Sequence, residues 1–288
     1  MAKGTRECSE FLIRHDKGDL GIYLSSSSML HIHEETIADR VAELKDSFLH
    51  DKVVRHPVII DANSRVVLDG MHRVAAMREV GCLCVPVCAV DYLNPNIKVG
   101  VWYRTLSGPF SPSQFEGALS SSGLKFERSS LEMTRILENP NLATIFATGE
   151  WLGIEGNGFQ VFEFLKKTED CARQLGFTLM FETEHDALEN LVNNKVDAVI
   201  TLPKIDKAAV TKAGLTGRLL PHKVTRHVIP ARPLGVDVPL RILTDANMPL
   251  EKTNRQFVAS LQARKIAREP PGAMIEGRRY EEETFIFN

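Results

Sequence analysis

Pro57-Val-Ile-Ile-Asp-Ala-Asn-Ser-Arg-Val-Val-Leu-Asp-Gly-Met-His-Arg-Val-Ala-Ala-Met-Arg-Glu-Val-Gly81 decides the fold. Val58–Asp61 is an apolar run of strand length, Ala62-Asn63-Ser64 a polar turn, and Val66–Leu68 a second apolar run. Asp69-Gly70-Met71-His72-Arg73 then opens an amphipathic helix with Val74, Met77 and Val80 on one face and Gly81 at its end. Glycine permits a sharp backbone turn, and the first helical turn presents N–H groups that have no intrahelical acceptor. With His72 and Arg73 beside them, such a corner suits a phosphate. The plainer alternative is a strand–turn–helix whose His and Arg face solvent. Asp69, at the end of the strand, has two compatible uses: holding Mg2+ through water, or capping the helix that follows.

Outward from this stretch the pattern stays α/β. A helix is expected over about 38–49, strands at 57–61 and 65–69, the helix at 71–80, a strand at 84–91 and another at 99–104. Cys82, Cys84 and Cys88 lack the spacing of a zinc knuckle. Alternating with Leu83, Val85, Val87 and Ala89, they read as small hydrophobes of a buried strand. With Cys8 and Cys171 they make an odd set of five, expected to stay reduced.

The 288 residues suffice for two domains, or for one with a large insertion. We divide them into an N-terminal extension (1–28) ending in the Ser25–Ser28 run, an α/β core (29–106), an inserted or accessory α/β segment (107–214) and a C-terminal segment (215–288) that completes the site. Pro109, Pro112 and Ser120–Ser122 mark 107–130 as a boundary or surface excursion. Within the insertion, 161–175, 185–192 and 204–213 read as helices, and 177–181 and 198–202 as strands. Gly153-x-x-Gly156-x-Gly158 has the wrong spacing for a dinucleotide loop and reads as a turn. A helix over 255–268, a Pro270-Pro271-Gly272 break and a strand at 283–287 close the chain. No Walker-type phosphate loop occurs.

A formal net charge of −2 gives no field for a nucleic-acid partner. No apolar run approaches membrane-spanning length, and Met1–Glu10 is too polar for a signal peptide. A cytoplasmic protein with no membrane partner is the expectation.

Leu68-Asp-Gly-Met-His-Arg-Val-Ala-Ala76 resembles the phosphate-binding box of the ParB/sulfiredoxin-like superfamily. Sulfiredoxins carry a catalytic cysteine directly before the His-Arg pair. Met71 stands there in this chain and cannot act as a thiolate. The Asp-Gly-x-His-Arg form is similar to that of the free serine kinases, which phosphorylate L-serine to O-phospho-L-serine. His33-Glu34-Glu35-Thr36, the Leu219–Leu240 stretch with Lys223-Val-Thr-Arg-His227, and Val101-Trp102-Tyr103 resemble further segments of that branch.

The resemblance implies a ParB/sulfiredoxin-like catalytic core and a nucleotide-dependent phosphotransferase using ATP or ADP, with Mg2+. It implies Glu34 as general base, with Glu35 as the competing position. Gly70, Met71, His72 and Arg73 would hold the donor phosphates, with Asp69 beside them. Trp102, Lys223, Thr225, Arg226 and His227 would line the serine side. As a bare cluster, the last four would more often be a solvated edge. The long middle segment tilts the resemblance toward ATP-using, siderophore-pathway members, and the product would supply cysteine or diaminopropionate-type synthesis. The rival expectation is a ParB-like nucleotide-binding regulator without kinase activity, which has no use for Glu34 or the Lys223–His227 patch.

Overall fold

The computed structural model describes residues 9–108, 111–124, 127–128, 142–147, 150–155 and 159–288. They form two compact units: 1–98, 207–219 and 227–288 in the first, 99–206 and 220–226 in the second.

The first unit is built on a five-stranded sheet. Its strands are β1 (Phe11–Ile13), β2 (Leu20–Ser26), β4 (Val58–Asp61), β5 (Val67–Asp69) and β6 (Cys84–Val90), in the order β1-β2-β6-β4-β5. The two unbroken apolar runs take central positions, β4 parallel to β6, and every residue of both is buried. That is the environment such runs require, each buried aliphatic side chain being worth about 1.5–3 kcal/mol. Helix α1 (Ala38–Asp51) is followed by the short β3 (Val53–Val54), and helix α2 (Met71–Val80) joins β5 to β6. Gly81 closes α2 in the left-handed conformation, with Cys82 N–H returning to the Met77 carbonyl.

The expected N-terminal extension belongs to this sheet from Phe11 onward. β2 pairs with β6 from Gly21 to Ser26, and the Ser25–Ser28 run is the end of β2 followed by a 3-10 turn rather than a connector. Leu20, Ile22 and Leu24 alternate into the core. The fully buried Asn254 accepts from Leu24 N–H at 2.7 Å and donates to the Ser9 carbonyl at 2.6 Å, tying β2 to the C-terminal region. Cys82, Cys84 and Cys88 are buried, and burial pushes their thiols up to about 12, 11 and 12, consistent with packing roles. Cys8 lies outside the described residues.

The second unit carries a seven-stranded sheet. It contains β7 (Lys98–Ser107), β8 (Glu127–Arg128), β9 (Leu142–Ala147), β10 (Glu150–Glu155), β11 (Thr178–Thr183), β12 (Ala198–Thr201) and β13 (Thr225–Val228). β7 lies between β11 and β12, and β13 also pairs with it. β7 opens at Lys98, so the boundary between units falls at 98/99, ahead of the 106/107 expected. The expected surface excursion contains helix α3 (Pro112–Ser121), which buries Phe115 and Leu119, one helical turn apart. Gly153 lies inside β10, paired with Thr144, whereas Gly156 and Gly158 fall outside the described residues.

Back in the first unit the chain adds β14 (Ala231–Leu234) and β15 (Val238–Pro239), the latter paired with β3. β16 (Ile266–Glu269), the hairpin β17 (Met274–Ile275) and β18 (Arg278–Arg279), and β19 (Glu283–Phe287) follow. β19 lies between β14 and β16. The C-terminal helix runs Leu250–Gln262, and residues expected to extend it form β16 instead, an edge strand pairing β19. Among the described residues no helix is long and apolar enough to cross a membrane.

Candidate active site

The corner between β5 and α2 is held by Gly70, whose φ of +97° is open to glycine at little cost. A Cβ there would lie 2.8 Å from both Arg73 Nη2 and Val58 Cγ1, so the close approach also demands its absence. The first-turn N–H groups of α2, which lack intrahelical acceptors, follow directly on this turn at the end of β5.

Arg73 does not project from this corner. Its Nη1 donates to the carbonyls of His56 (3.0 Å) and Pro57 (2.7 Å), and Nη2 reaches Asp69 Oδ2 at 3.2 Å. The guanidinium thus fastens α2 to the entry of β4. His72 Nε2 accepts the N–H of Ile37, the residue preceding α1, at 3.0 Å. Accepting there places the ring proton on Nδ1 and couples the starts of the two helices.

Asp69 takes a second arginine on the same oxygen: Arg232, on β14, pairs with Oδ2. Burial alone would push this carboxyl up. The positive charges of Arg232 and Arg73 outweigh it and hold Asp69 well below the usual carboxylate range. Both guanidinium contacts fall on Oδ2, which leaves Oδ1 as the oxygen suited to a water or a hydrated cation. Two arginines oppose a bare divalent ion here but suit one that arrives already bound to phosphates. The residues fit Mg2+ in that form.

Glu34 lies on a segment held beside the start of β5. His31 bridges Val66 in parallel sense, its N–H donating to Arg65 and its carbonyl accepting from Val67. Glu34 is 4% exposed, whereas Glu35 is half-buried. His33, fully buried just before them in the chain, hydrogen-bonds the Val67 carbonyl through Nδ1 at 2.7 Å and so pins the segment.

His227 packs edge-on against His33 with ring centroids 5.4 Å apart. Its Nε2 is 2.8 Å from Tyr92 Oη, and it hydrogen-bonds the backbone of Leu68. Burial pushes His33 down to about 4, and burial with His33 alongside pushes His227 down to about 3. Both rings are neutral at pH 7.

The second unit gathers Trp102, Lys223 and Arg226. Lys223 Nζ lies 4.7 Å and Arg226 Cζ 5.6 Å from the indole centroid. Thr225 is buried on β13 next to them in the chain. The expected site residues therefore divide: Glu34, Asp69, Gly70–Arg73 and His227 in the first unit, the Trp102 cluster in the second.

No family model matches the chain. Two curated relatives do: the ATP-dependent L-serine kinase of Staphylothermus marinus, 24% identical over 72% of this chain and 85% of that protein, and the ADP-dependent L-serine kinase of Thermococcus kodakarensis, 22% identical over 73% and 88%. A solved free serine kinase in complex with AMP superposes with a TM-score of 0.67 at 21% identity, covering 77% of this chain and 93% of its own. The chain has the free serine kinase fold. The α/β class expected from the sequence is the one observed, and the likeness to these serine kinases extends through most of the chain.

On this free serine kinase fold, several site residues carry no local sequence signal. Arg232 sits between Ala231 and Pro233 in an otherwise apolar strand, and Tyr92 closes a strand-end turn. Arg278, on the β17–β18 hairpin, adds positive charge near Asp69 and Arg73. Only the excess of arginine in 226–232 and 278–279 hinted at anionic partners.

The two depressed histidines predict an acid response. Below about pH 6.5 the unfolded chain takes up two protons that the native state refuses, so stability falls with pH until the folded values near 3–4 are reached. The slope should be at most about 1.4 kcal/mol per pH unit for each histidine. Urea midpoints measured from pH 7 to 5 should fall, and His33→Gln should flatten the curve. An unchanged slope in that variant excludes His33 as the cause.

Proposed function

We propose that the chain is a nucleotide-dependent free L-serine kinase forming O-phospho-L-serine. The observation that supports this reading is a buried carboxylate, Glu34, on a segment pinned beside β5, the strand that leads into Asp69 and the Gly70 helix start, on a fold whose relatives are named L-serine kinases. A regulator without kinase activity has no use for a buried acid at a phosphate corner.

The chemistry follows from the residues. The first-turn N–H groups of α2 receive donor phosphates, with their dipole favouring the negative charge. Glu34 accepts the proton of the serine hydroxyl as oxygen attacks the terminal phosphorus, and the nucleotide leaves shortened by one phosphoryl group. Asp69, through Oδ1 and a bridging water, would hold a Mg2+ bound to the phosphates, and the ion would supply positive charge against theirs. Arg73 and Arg232 keep Asp69 ionised and fixed. His227, neutral and held by Tyr92, offers a rigid polar wall. Lys223 and Arg226 over Trp102 suit the amino-acid carboxylate, because arginine grips a carboxylate through two parallel N–H groups.

The direct test incubates the protein with L-serine, Mg2+ and either ATP or ADP, with products followed by phosphorus NMR. Phosphoserine with at least one nucleotide is expected, and its absence with both overturns the proposal. Arg226→Ala should raise the serine requirement by about 1.5–3 kcal/mol, or about 10–150-fold, with nucleotide affinity little changed. Unchanged serine dependence would return the 223–227 patch to a solvated edge.

A further inference from the structure

Arg104, in the middle of β7, is 0% exposed, and every part of its guanidinium is engaged. Nε donates to Glu169 Oε1 at 2.7 Å. Nη1 donates to the carbonyls of Trp102 (2.7 Å) and Lys223 (3.0 Å), and Nη2 to that of His222 (2.9 Å). The Phe181 ring lies against it, its centroid 5.1 Å from Cζ. Glu169, on the helix Phe159–Gln174, is held from its other oxygen by Arg173 at 3.1 Å.

A buried cation makes sense only if it orders what surrounds it, because its desolvation offsets much of the ion-pair attraction. Three of these bonds go to backbone carbonyls, two of them on His222 and Lys223, 118 and 119 positions away. Lys223 is itself in the left-handed region, at φ +59°, a conformation that costs a non-glycine residue energy unless its surroundings enforce it. The same fork binds the Trp102 carbonyl, so one planar group fixes both the indole's backbone and the turn that carries Lys223. The Trp102 N–H adds a bond to the Val224 carbonyl at 3.3 Å.

We propose that Arg104 is the positioning residue of the Lys223–Trp102–Arg226 cluster, setting the geometry in which the two cations lie on the indole and hence the affinity for the amino-acid carboxylate. The assignment of that carboxylate rests on the serine kinase reading, whereas the ordering of the cluster does not. Lysine cannot replace the fork, since a single ammonium lacks the planar donors that reach three carbonyls and Glu169 together.

Arg104→Lys should raise the apparent KM for L-serine at least about tenfold while kcat at saturating serine and the nucleotide KM stay within about threefold. Glu169→Gln, which keeps the carbonyl bonds and removes the ionic anchor, should shift the serine KM in the same direction by less. A structural role alone would lower kcat and Tm and raise both KM values together, and that pattern overturns the proposal. So does an unchanged serine KM in Arg104→Lys. If Arg104→Lys does not fold, an unchanged serine KM in Glu169→Gln overturns it instead.

A second readout does not depend on the activity. The chain has two tryptophans, so Trp151→Phe leaves Trp102 as the only indole emitter. In that background, Arg104→Lys should make Trp102 at least about twofold more accessible to acrylamide as its two cations lift away. Unaltered quenching overturns the proposal. If the parent forms no phosphoserine, the serine reading fails, and the fluorescence comparison still decides whether Arg104 sets the cluster.

Discussion

Glu34→Gln lowers phosphoserine formation by about 10²-fold or more, the usual cost of losing a general base, while nucleotide binding persists. The substitution is isosteric, and glutamine keeps the hydrogen-bonding capacity that a buried position needs, so the fold should survive. What it loses is the ability to take a proton. Turnover should fall with the serine KM changed little, because the missing interaction matters most as the proton leaves. Glu35→Gln is the control. Glu35 is half-buried where Glu34 is buried, so its variant should stay within a few-fold of the parent. The reverse pattern would move the base by one residue, and full activity in both would remove carboxylate base catalysis. Single-turnover measurements at saturating nucleotide make the comparison cleanest, since product release then does not mask the chemical step.

Legibility in the sequence followed the range of the interactions. Helix α2 was readable to the residue because its limits are local: Gly70 and Gly81 both adopt positive φ, and Val74 and Met77 face the core between them. β19 was equally plain, as its buried Thr284, Phe285 and Phe287 follow a polar run. β2 was hidden because the Ser25–Ser28 run drew the eye to a loop, although Leu20-x-Ile22-x-Leu24 carried the strand period. At the C-terminal helix, Arg264–Glu269 fits a helical surface and an edge strand equally well. Only pairing with β19 decides it.

The candidate site shows the same division. Glycine, histidine and arginine at a helix start announce a phosphate corner, but not what Arg73 does there. The structure places its guanidinium on the His56 and Pro57 carbonyls and on Asp69, which leaves the anion-facing work to the N–H groups of α2. Asp69 paired with Arg232 spans 163 positions, and Arg104 with His222 spans 118. No local pattern encodes contacts of that range. His227 was legible as polar, but its bond to Tyr92 and its packing on His33 were not.

Asp69→Asn should be among the most destabilising single changes in the chain, at about 3–5 kcal/mol, because it strips the shared counter-charge from Arg73 and Arg232. Asparagine preserves shape and one acceptor, so the loss is electrostatic: two neighbouring guanidinium groups would face each other without the carboxylate between them. At about 2–4 °C per kcal/mol for a chain of this size, Tm should drop by roughly 6–20 °C. Pairing the change with Arg232→Met tests the cause, since the double variant should be more stable than the sum of the single losses predicts. The pH dependence supplies a signed check. Asp69 has a folded value depressed below its unfolded one, so its contribution is fully present above about pH 4–5 and declines as pH falls toward the folded value. The gap in unfolding free energy between parent and Asp69→Asn should therefore be flat from pH 7 to about 5 and narrow below about 4. A gap that widens on acidification, or a variant as stable as the parent at pH 7, would mean that Asp69 is not the keystone between the two arginines.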